Sequence, residues 1–374
     1  MIPRIKEVQF KNFYFHIPEF GNLFEKLFHR PFFIRLFNWE FWSFGAVYVW
    51  VMPAWFYFCI RARSFFFFTA SNPSIANGGM IGESKKDIHA ILPKDLYPMT
   101  LHFDMGVDPE IVIHDVLSSG MNLPLIGKPD IGGKGRGVKM LKSEKDIRDY
   151  ARKATMNFHI QQYVSFTEEV GIFYYRFPGE EKGKITGIVG KKFLSVRGNG
   201  KDTLQNLLRN DKRGIMYINS LENIHRDILD HILPAGEEKI VSPFGNHARG
   251  SLFLDYSKEI DDELTFTIDA ISKRIPEFYF GRFDIRYDTM EGLKKGNNFS
   301  VIELNGAGAE PTHMYDPGHS IFFAWKEIVR HWSIMGKISR MNHKRGYRYP
   351  SFHKGLAMYT KEIEDSEKLA KMSE

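Results

Sequence analysis

Two pairs of polar side chains in the second half of the chain could do chemistry together. Arg282 and Asp284 form the first pair, and Glu303 and Asn305 form the second. Residues two apart on a strand point to the same face, and a hairpin around a turn at 296–297 would bring the pairs together. Two carboxylates and an amide oxygen suit Mg²⁺, and a neighbouring arginine suits charge that develops on a transferred phosphoryl group. An exposed strand face with ordinary ion pairs is the alternative.

A glycine-rich stretch at 127–138 follows directly on a predicted strand. It contains five glycines and three cations, Lys128, Lys134 and Arg136. Glycines let backbone N–H groups approach an anion closely, and lysines place point charges on phosphate oxygens. Its spacing fits neither a Walker A loop nor a dinucleotide-binding fingerprint, so a solvated hairpin loop is the alternative for this stretch alone. Together with the two polar pairs, the loop favours a site for nucleotide phosphates.

Length and composition indicate a globular protein with more than one domain. The chain has 374 residues, of which 43% are hydrophobic and 26% charged, so coiled coil, collagen and wholesale disorder are excluded. A single cysteine excludes a disulfide framework and cysteine-based zinc sites, and it fits a reducing cytoplasm. The net charge of +6 favours anionic ligands or an anionic membrane. No recognised nucleic-acid-binding pattern accompanies this charge, so no nucleic-acid partner is expected.

The aromatic excess is confined to the N-terminal segment. Of 33 phenylalanines, 17 lie within the first 68 residues. Residues 41–60 carry no charge and are just long enough to span a bilayer, but Pro53 interrupts a helix, aromatic residues prefer the membrane interface, and arginines flank both ends. A re-entrant or interfacial membrane segment satisfies these features. A buried helix and strand of a soluble core is the alternative.

From about residue 80 onward, patterns typical of strands and helices alternate. Apolar runs predict strands, and polar segments with an apolar stripe predict helices, one of them capped by Ser143. The expected fold class is α+β with antiparallel sheets. The predicted strands cover 123–130, 158–164, 171–177, 184–196, 280–288 and 298–306, and the predicted helices cover 143–155, 203–209 and 260–275.

With its glycine-rich loop, its Arg-x-Asp pair and its Glu-x-Asn pair in this order, the chain resembles the ATP-grasp superfamily. It is most similar to the D-alanine–D-alanine ligase type and to the ATP-grasp part of cyanophycin synthetase, from about residue 82 to 317. The resemblance implies an ATP-grasp fold, in which two α+β lobes with antiparallel sheets sandwich ATP. The expected domains are an aromatic membrane-associated segment at 1–80, an N-terminal lobe at 81–164, a C-terminal lobe at 165–330 and a basic tail at 331–374.

The resemblance also implies roles for single residues. The residues expected to bind the phosphates are Lys85, Lys128 and those of the mobile loop, which includes Gly132, Gly133, Lys134 and Gly135. The hinge that meets adenine comprises Gln161, Gln162, Tyr163 and Val164. Glu168 or Glu169 would hold the ribose hydroxyls, and Glu169 is the preferred candidate. Asp284, Glu303 and Asn305 would bind magnesium, and Arg282 would stabilise the acyl phosphate and the tetrahedral intermediate. Arg249, and less strongly His247, would contribute a cation near the γ-phosphate or the substrate carboxylate.

The chain departs from the D-alanine ligases in two places. Those enzymes begin with a soluble α/β domain that helps to bind the first substrate, and here the aromatic segment stands in its place. After the Glu-x-Asn pair they carry a Ser-Pro-Gly stretch, whereas this chain has residues 306–313, which place Glu310 and His313 near the acceptor. D-Alanine is therefore not the expected substrate.

The expected activity is that of an ATP-dependent carboxylate–amine ligase. It would use ATP and Mg²⁺ or Mn²⁺, pass through an acyl phosphate and release ADP and phosphate. Its expected partners are a small carboxylate, an amine and a membrane surface, with a lipid-linked substrate and a homo-oligomer left open. The expected location is the cytoplasm, at the cytoplasmic face of the inner membrane. A non-catalytic nucleotide-binding module with a membrane or protein interface and an ATP-grasp kinase are the alternatives.

Overall fold

The computed structural model describes residues 30–372, apart from 134, 225–227 and 243–244. Lys134 of the glycine-rich loop therefore lies outside the described residues. The helices are α1 (Pro31–Phe37), α2 (Phe44–Tyr48), α3 (Met52–Ala62), α4 (Lys85–Ile91), α5 (Pro109–Ser118), α6 (Glu144–Lys153), α7 (Leu204–Asn210), α8 (Gly214–Ile224), α9 (Asp262–Lys273), α10 (Met290–Lys294), α11 (Ile321–Lys344) and α12 (Phe352–Met372). The strands are β1 (Thr100–Phe103), β2 (Leu125–Pro129), β3 (Lys139–Leu141), β4 (Phe158–Gln162), β5 (Glu168–Tyr175), β6 (Lys184–Lys192), β7 (Leu194–Arg197), β8 (Glu238–Ser242), β9 (Leu252–Asp255), β10 (Phe280–Tyr287) and β11 (Phe299–Asn305).

The first sheet has four antiparallel strands in the order β1-β4-β2-β3. Buried and half-buried residues alternate along β2, as expected for a strand with one face on a core. Helix α6 covers that core with Ile147, Tyr150 and Ala151. It begins after Ser143, whose hydroxyl accepts a hydrogen bond from the Asp146 N–H. The predicted helix and its N-cap are confirmed.

The second sheet has five antiparallel strands in the order β11-β10-β5-β6-β9. Its central strands β5 and β6 are buried along almost their whole length, since both faces of the sheet are covered. Leu264 and Ile268 of α9 cover one face, and the N-terminal segment with α11 covers the other. The predicted hairpin of β10 and β11 is confirmed, with the short helix α10 between its strands. The fold class is α+β with antiparallel sheets, as predicted.

A small third unit is inserted between β6 and β9. Strands β7 and β8 pair as a two-stranded antiparallel sheet. Helices α7 and α8 pack on it through an apolar core that includes Leu204, Leu208 and Leu221. This unit carries the polar loop before β9, and so it positions His247 and Arg249 of the candidate site.

The N-terminal segment packs on the second lobe. Phe67 and Phe68 are fully buried in a core shared with Phe173 of β5 and Met335 of α11. Pro53 stands in the first turn of α3, where a missing N–H costs nothing. By length and composition, the helical run Phe44–Ala62 of 19 residues is the one stretch of the described chain that could cross a membrane. The segment therefore combines a buried inner side with an apolar outer side.

The C-terminal helices tie the two lobes together. Helix α11 runs through residue 330, where the sequence predicted the end of the second lobe, because its apolar residues stay buried as far as Ile338. Helix α12 then crosses to the first lobe. Its Glu362 carboxylate accepts a hydrogen bond from the Gly82 N–H at 2.8 Å, and its Lys368 carbonyl accepts one from the Thr155 hydroxyl at 2.7 Å. Most of residues 331–372 are helical and packed on the lobes.

Asn72 joins the N-terminal segment to the second sheet. Its side chain is fully buried, and its Nδ2 donates to the carbonyls of Gly78 at 3.0 Å and Phe280 at 2.8 Å. Its Oδ1 accepts from the N–H groups of Tyr279 at 2.9 Å and Phe280 at 3.0 Å. One side chain therefore satisfies three backbone groups at the start of β10 and the carbonyl of Gly78 in its own segment.

We expect Asn72→Ala to destabilise the protein by about 2–4 kcal/mol, because a buried polar group left without a partner costs about 1–3 kcal/mol. Urea unfolding gives this free energy. Asn297→Ala, at an exposed turn position, is the matched control and should change the stability by less than about 0.5 kcal/mol. Equal stability of the two variants would show that Asn72 does not hold the segment in place.

Candidate active site

A cavity of ≈ 530 Å³ lies between the first and second sheets. Strands β2 and β4 of the first sheet and β5, β6, β10 and β11 of the second contribute side chains to its wall, and so does the N-terminal segment. Among the described residues that line it, seven are Lys or Arg and five are Asp or Glu. The cavity therefore carries a positive excess, which favours an anionic ligand.

The strand pairing brings the two polar pairs of the sequence together on one face. Strands β10 and β11 run antiparallel, with Asp284 opposite Glu303 and Arg282 opposite Asn305. All four side chains line the cavity. The arrangement predicted from the two-residue spacing is therefore present in the structure.

Arg282 and Asp284 belong to a buried ion cluster. The Arg282 guanidinium donates to both carboxylate oxygens of Asp284, at 2.8 and 3.1 Å. The Lys191 ammonium lies 3.2 Å from Asp284 and 2.8 Å from Glu169. Burial alone raises the pKa of Asp284, but Arg282 and Lys191 outweigh it and hold this pKa below its ordinary value. Burial likewise lowers the pKa of Lys191, and the two carboxylates reverse this and raise it.

Glu303 and Asn305 have polar atoms left over for a ligand. In the described part of the chain, the Glu303 carboxylate has no hydrogen-bonded partner, and the buried Asn305 Nδ2 has none either. Two carboxylates and an amide oxygen are hard ligands of the kind that Mg²⁺ takes together with waters and phosphate oxygens. The side chains present fit such an ion. Among the described residues, no group of three or more His, Cys, Asp or Glu side chains is arranged so that it could hold a metal ion by itself.

The opposite wall of the cavity presents Lys85 and Lys128. The Lys85 ammonium donates to the Gly132 carbonyl at 2.9 Å, and the Lys128 ammonium donates to Gln161 Oε1 at 2.7 Å. Burial lowers the pKa of Lys128 to about 8, and Lys85 adds to this while Glu303 opposes it. A phosphate near Lys128 would restore its full charge.

The glycine-rich loop follows β2 at the edge of the cavity. Gly132 has φ +135°, a backbone conformation that is strained for any residue with a side chain, so glycine is favoured there. Gly132, Gly133 and Gly135 line the cavity. Arg249 does not line it, but its guanidinium donates to the Gly135 carbonyl. Arg249 therefore holds the loop in this structure.

The predicted hinge lies on the cavity wall, and Arg286 secures it. The Arg286 guanidinium donates to the Val164 carbonyl at 3.1 Å and to the Tyr163 hydroxyl at 3.4 Å. Gln161, Gln162, Tyr163 and Val164 all line the cavity. Of the two candidates for the ribose, Glu169 is buried and lines the cavity, whereas Glu168 is exposed.

The sequence placed Glu310 and His313 near the acceptor and His247 near the γ-phosphate or the acceptor side, and the structure brings Glu310 and His247 to the cavity. Glu310 lines it and accepts hydrogen bonds from the hydroxyls of Tyr48 at 2.7 Å and Tyr315 at 3.2 Å. His247 also lines it, with its Nε2 3.2 Å from a carboxylate oxygen of Glu40. His313 is buried behind the second sheet, where its ring is 3.2 Å from Glu327. Direct contact of His313 with a ligand in the cavity is excluded in this conformation.

The N-terminal segment supplies a wall that sequence reasoning missed. Phe41, Trp42 and Phe44 line the cavity, with Glu40 and Arg35 beside them. Glu40 is buried and forms an ion pair with Arg213. No signal in the sequence links this segment to the distant strands and loops that form the rest of the cavity. Lys191 and Arg286 were also missed, although the charge of Lys191 at the end of a largely apolar strand is a usable signal.

A smaller cavity of ≈ 180 Å³ lies behind Lys85 and Lys128, with Glu83 on its wall. The Glu83 carboxylate accepts a hydrogen bond from the Gly306 N–H at 3.0 Å. Burial raises the pKa of Glu83 from 4.5 to about 8, although this hydrogen bond lowers it. Since Glu83 binds its proton more tightly in the folded protein, its contribution to stability is full below pH 4.5 and is lost as the pH rises through 8.

Three histidines meet near the same small cavity. His89 stacks on Tyr97, and His102 contacts His159. Burial lowers the pKa of His89 to about 3 and that of His102 to about 4, so both are neutral at physiological pH. Their protonation destabilises the fold only as the pH falls below about 6.5. Glu83 is not among the charges that shift the pKa of His89 or of His102, so a comparison of two proteins that differ only at Glu83 isolates its carboxyl group.

We expect Glu83→Gln to gain stability relative to the unsubstituted protein as the pH rises from about 4.5 to 8, by roughly 2–4 kcal/mol over that range. The glutamine keeps an acceptor oxygen for Gly306 and carries no charge. Urea unfolding of both proteins at a series of pH values measures the difference. A difference that does not vary with pH would show that the carboxylate of Glu83 is ionised throughout.

No protein-family model and no curated protein matches this sequence. Solved structures do match. A D-alanine–D-alanine ligase from Bacillus anthracis has a TM-score of 0.41 at 14% identity, over 72% of this chain and 70% of that one. The VanG D-Ala:D-Ser ligase from Enterococcus faecalis has a TM-score of 0.35 at 13% identity, over 66% of this chain. A bifunctional glutathione synthetase from Pasteurella multocida has a TM-score of 0.35 at 13% identity, over 64% of this chain.

This chain spans 34% of the length of the glutathione synthetase and 56% of that of VanG. The chain is similar to these ligases in structure, at low sequence identity.

Proposed function

We propose that the protein is an ATP-dependent ligase that joins a carboxylate to an amine. The observation that carries the proposal is the placement of two opposed sets of side chains in one cavity. Asp284, Glu303 and Asn305 converge on one wall through the pairing of β10 and β11. Lys85 and Lys128 lie on the other wall, beside the glycine-rich loop. Acidic ligands facing phosphate-binding cations are what a metal–nucleotide complex needs.

The nucleotide would lie along the wall that the first sheet and the hinge provide. Lys85, Lys128 and the backbone N–H groups of the loop would hold its phosphates. The backbone at Tyr163 and Val164 would meet adenine, and Glu169 is placed for the ribose. Asp284, Glu303 and Asn305 would hold Mg²⁺, which when bound neutralises charge on the phosphates.

The reaction would have two steps. An oxygen of the substrate carboxylate attacks the γ-phosphorus of ATP, and the bond to the β-phosphate oxygen breaks to give an acyl phosphate and ADP. The amine nitrogen then attacks the acyl carbon, loses a proton and expels phosphate to form an amide. Arg282 would stabilise the oxyanion of the tetrahedral intermediate. One Arg282 Nη donates to the Glu310 carbonyl at 3.1 Å, so this guanidinium lies next to the proposed acceptor side.

The acceptor side is lined by aromatic rings and by Glu310. The Glu310 carboxylate is held by the Tyr48 and Tyr315 hydroxyls, and it could attract an ammonium group of an incoming amine. A D-amino acid site would need little of this aromatic surface. The proposed location is the cytoplasm, which supplies ATP, at the cytoplasmic face of the inner membrane.

The test is release of ADP and phosphate from MgATP by purified protein, with and without a pool of amino acids, fatty acids and amines. We expect release that depends on the pool, and we expect Glu303→Gln to lower its kcat on the order of a hundredfold. This carboxylate has no hydrogen-bonded partner in the described chain, so the variant should remain folded. Asp284→Asn should have the same effect on turnover. Asp288→Asn, at an exposed position beyond the end of β10, is the matched control and should keep full activity.

Other products would point elsewhere. AMP and pyrophosphate would contradict an acyl phosphate, and a phosphorylated hydroxyl or amine in the product would identify a kinase. Tight nucleotide binding without turnover, on all pools and in the presence of lipid, would identify a binding module. Equal turnover by the unsubstituted protein and Glu303→Gln would refute the proposed role of the acidic wall.

A further inference from the structure

The outer side of the N-terminal helices carries apolar side chains where a soluble protein has polar ones. In α3, the exposed positions recur with the period of a helix, and those at Phe56, Tyr57 and Ile60 are apolar. Ile60 is 75% exposed, and Trp50, in the turn before α3, is 69% exposed. Contiguous exposed apolar surface marks an interaction site.

Helix α12 extends this surface. Its exposed apolar residues Phe352, Leu356, Tyr359 and Ile363 are spaced by four, three and four positions, so they lie on one face of the helix. Phe65, itself half exposed, packs against Phe352 with ring centroids 6.2 Å apart. We call the apolar residues on these two helices, with Trp50 and Phe65, the apolar band.

Cations border the apolar band. Arg61 and Arg63 stand at the end of α3 and are exposed. The segment 344–354, which leads into α12, contains four further Lys and Arg side chains and no acid. Apolar and aromatic side chains flanked by exposed cations are typical of surfaces that lie on anionic bilayers. A second copy of the chain would bring cations against cations, so charge disfavours a symmetric dimer through this surface.

The inner side of α3 shows that the helix does not leave the protein. Phe58 and Cys59 are buried in the core that also contains Met335 and Ile338 of α11. A transmembrane position of α3 would expose this core. A bilayer can therefore meet only the outer side of the helix, with the helix lying along its surface.

The same N-terminal segment forms the rim of the cavity. Phe44 is 56% exposed and also lines the cavity, together with Trp42 and Arg35. Further exposed apolar residues, Phe32 and Phe37, lie on α1 next to them in the chain. The geometry points to an anionic lipid bilayer as the partner of the apolar band, docked so that the rim of the cavity faces the lipid surface.

Flotation of the full-length protein with vesicles tests the docking without nucleotide, so the outcome does not depend on the proposed ligase activity. We expect binding to vesicles of phosphatidylglycerol and phosphatidylcholine in equal parts, and weaker binding to phosphatidylcholine alone. Trp50→Ser combined with Ile60→Ser should weaken binding about tenfold or more, because two exposed apolar anchors are removed. Phe266→Ser, at a position of α9 that is also 75% exposed, is the matched control and should bind normally.

Charge reversal tests the electrostatic part. Arg348→Glu combined with Lys354→Glu should lower binding to the anionic vesicles and abolish their advantage over neutral ones. Lys145→Glu, at an exposed position of α6, should have no such effect. Loss of binding by Phe266→Ser or Lys145→Glu to the same extent would overturn the proposal, since the surface would then have no specific role.

A fluorophore placed at the rim tests the orientation. Cys59 is buried, so a label on Phe44→Cys reports on the rim. Its emission should shift to the blue on anionic vesicles, and the emission of a label on Phe266→Cys should not. Failure of the unsubstituted protein to bind anionic vesicles overturns the docking. So does dimerisation of the protein without lipid that Trp50→Ser and Ile60→Ser abolish, because the band would then be a protein interface.

Discussion

A buried cluster of charges at the centre of the second sheet constrains the rest of the structure. Glu169 of β5, Lys191 of β6, and Arg282 with Asp284 of β10 contribute to it. Removing such charges from water costs several kcal/mol for each ion, and only close pairing offsets that cost. A shift of one residue between any two of these strands would separate the partners and turn a charge into the apolar core. The cluster therefore makes the register of three strands a condition of folding.

The same register places the candidate metal ligands. Strand β10 pairs with β5 on one side and with β11 on the other, and the second pairing places Glu303 opposite Asp284. Asp284 is already paired with two cations, whereas Glu303 has no such partner within the described chain. A metal ion that arrives with the nucleotide would bind Asp284, which is also paired with these two cations. It would also bind the Glu303 carboxylate, which would then exchange its contact with water for contact with the ion. The positive excess of the cavity favours the arrival of the ion with the phosphates that it neutralises.

Sequence reasoning reached the parts of this site that local periodicity encodes. Spacing by two residues, with a turn between two apolar runs, was enough to place Arg282, Asp284, Glu303 and Asn305 on one face. The glycine content was enough to predict the loop that follows Lys128 and lines the cavity. The charge of Lys191 at the end of an apolar strand is visible in the sequence, but its pairing with Glu169 could not be predicted, because Glu169 is 22 residues away in the chain and on another strand. His313 was placed on the acceptor side from its position after β11, but the chain turns there and buries it against Glu327.

The N-terminal segment illustrates why composition alone could not decide between membrane and core. Its aromatic residues serve both purposes, since Phe67 and Phe68 are fully buried while Trp50 and Ile60 face outward. Two polar contacts with residues far away in the chain fix the ends of the segment, and so they determine which of its apolar side chains face the core and which face outward. Asn72 fixes the end of the segment to the start of β10, and Glu40 fixes its beginning to Arg213. Between these two points the chain has to cross the rim of the cavity, so the segment that presents an apolar surface outward also closes the candidate site.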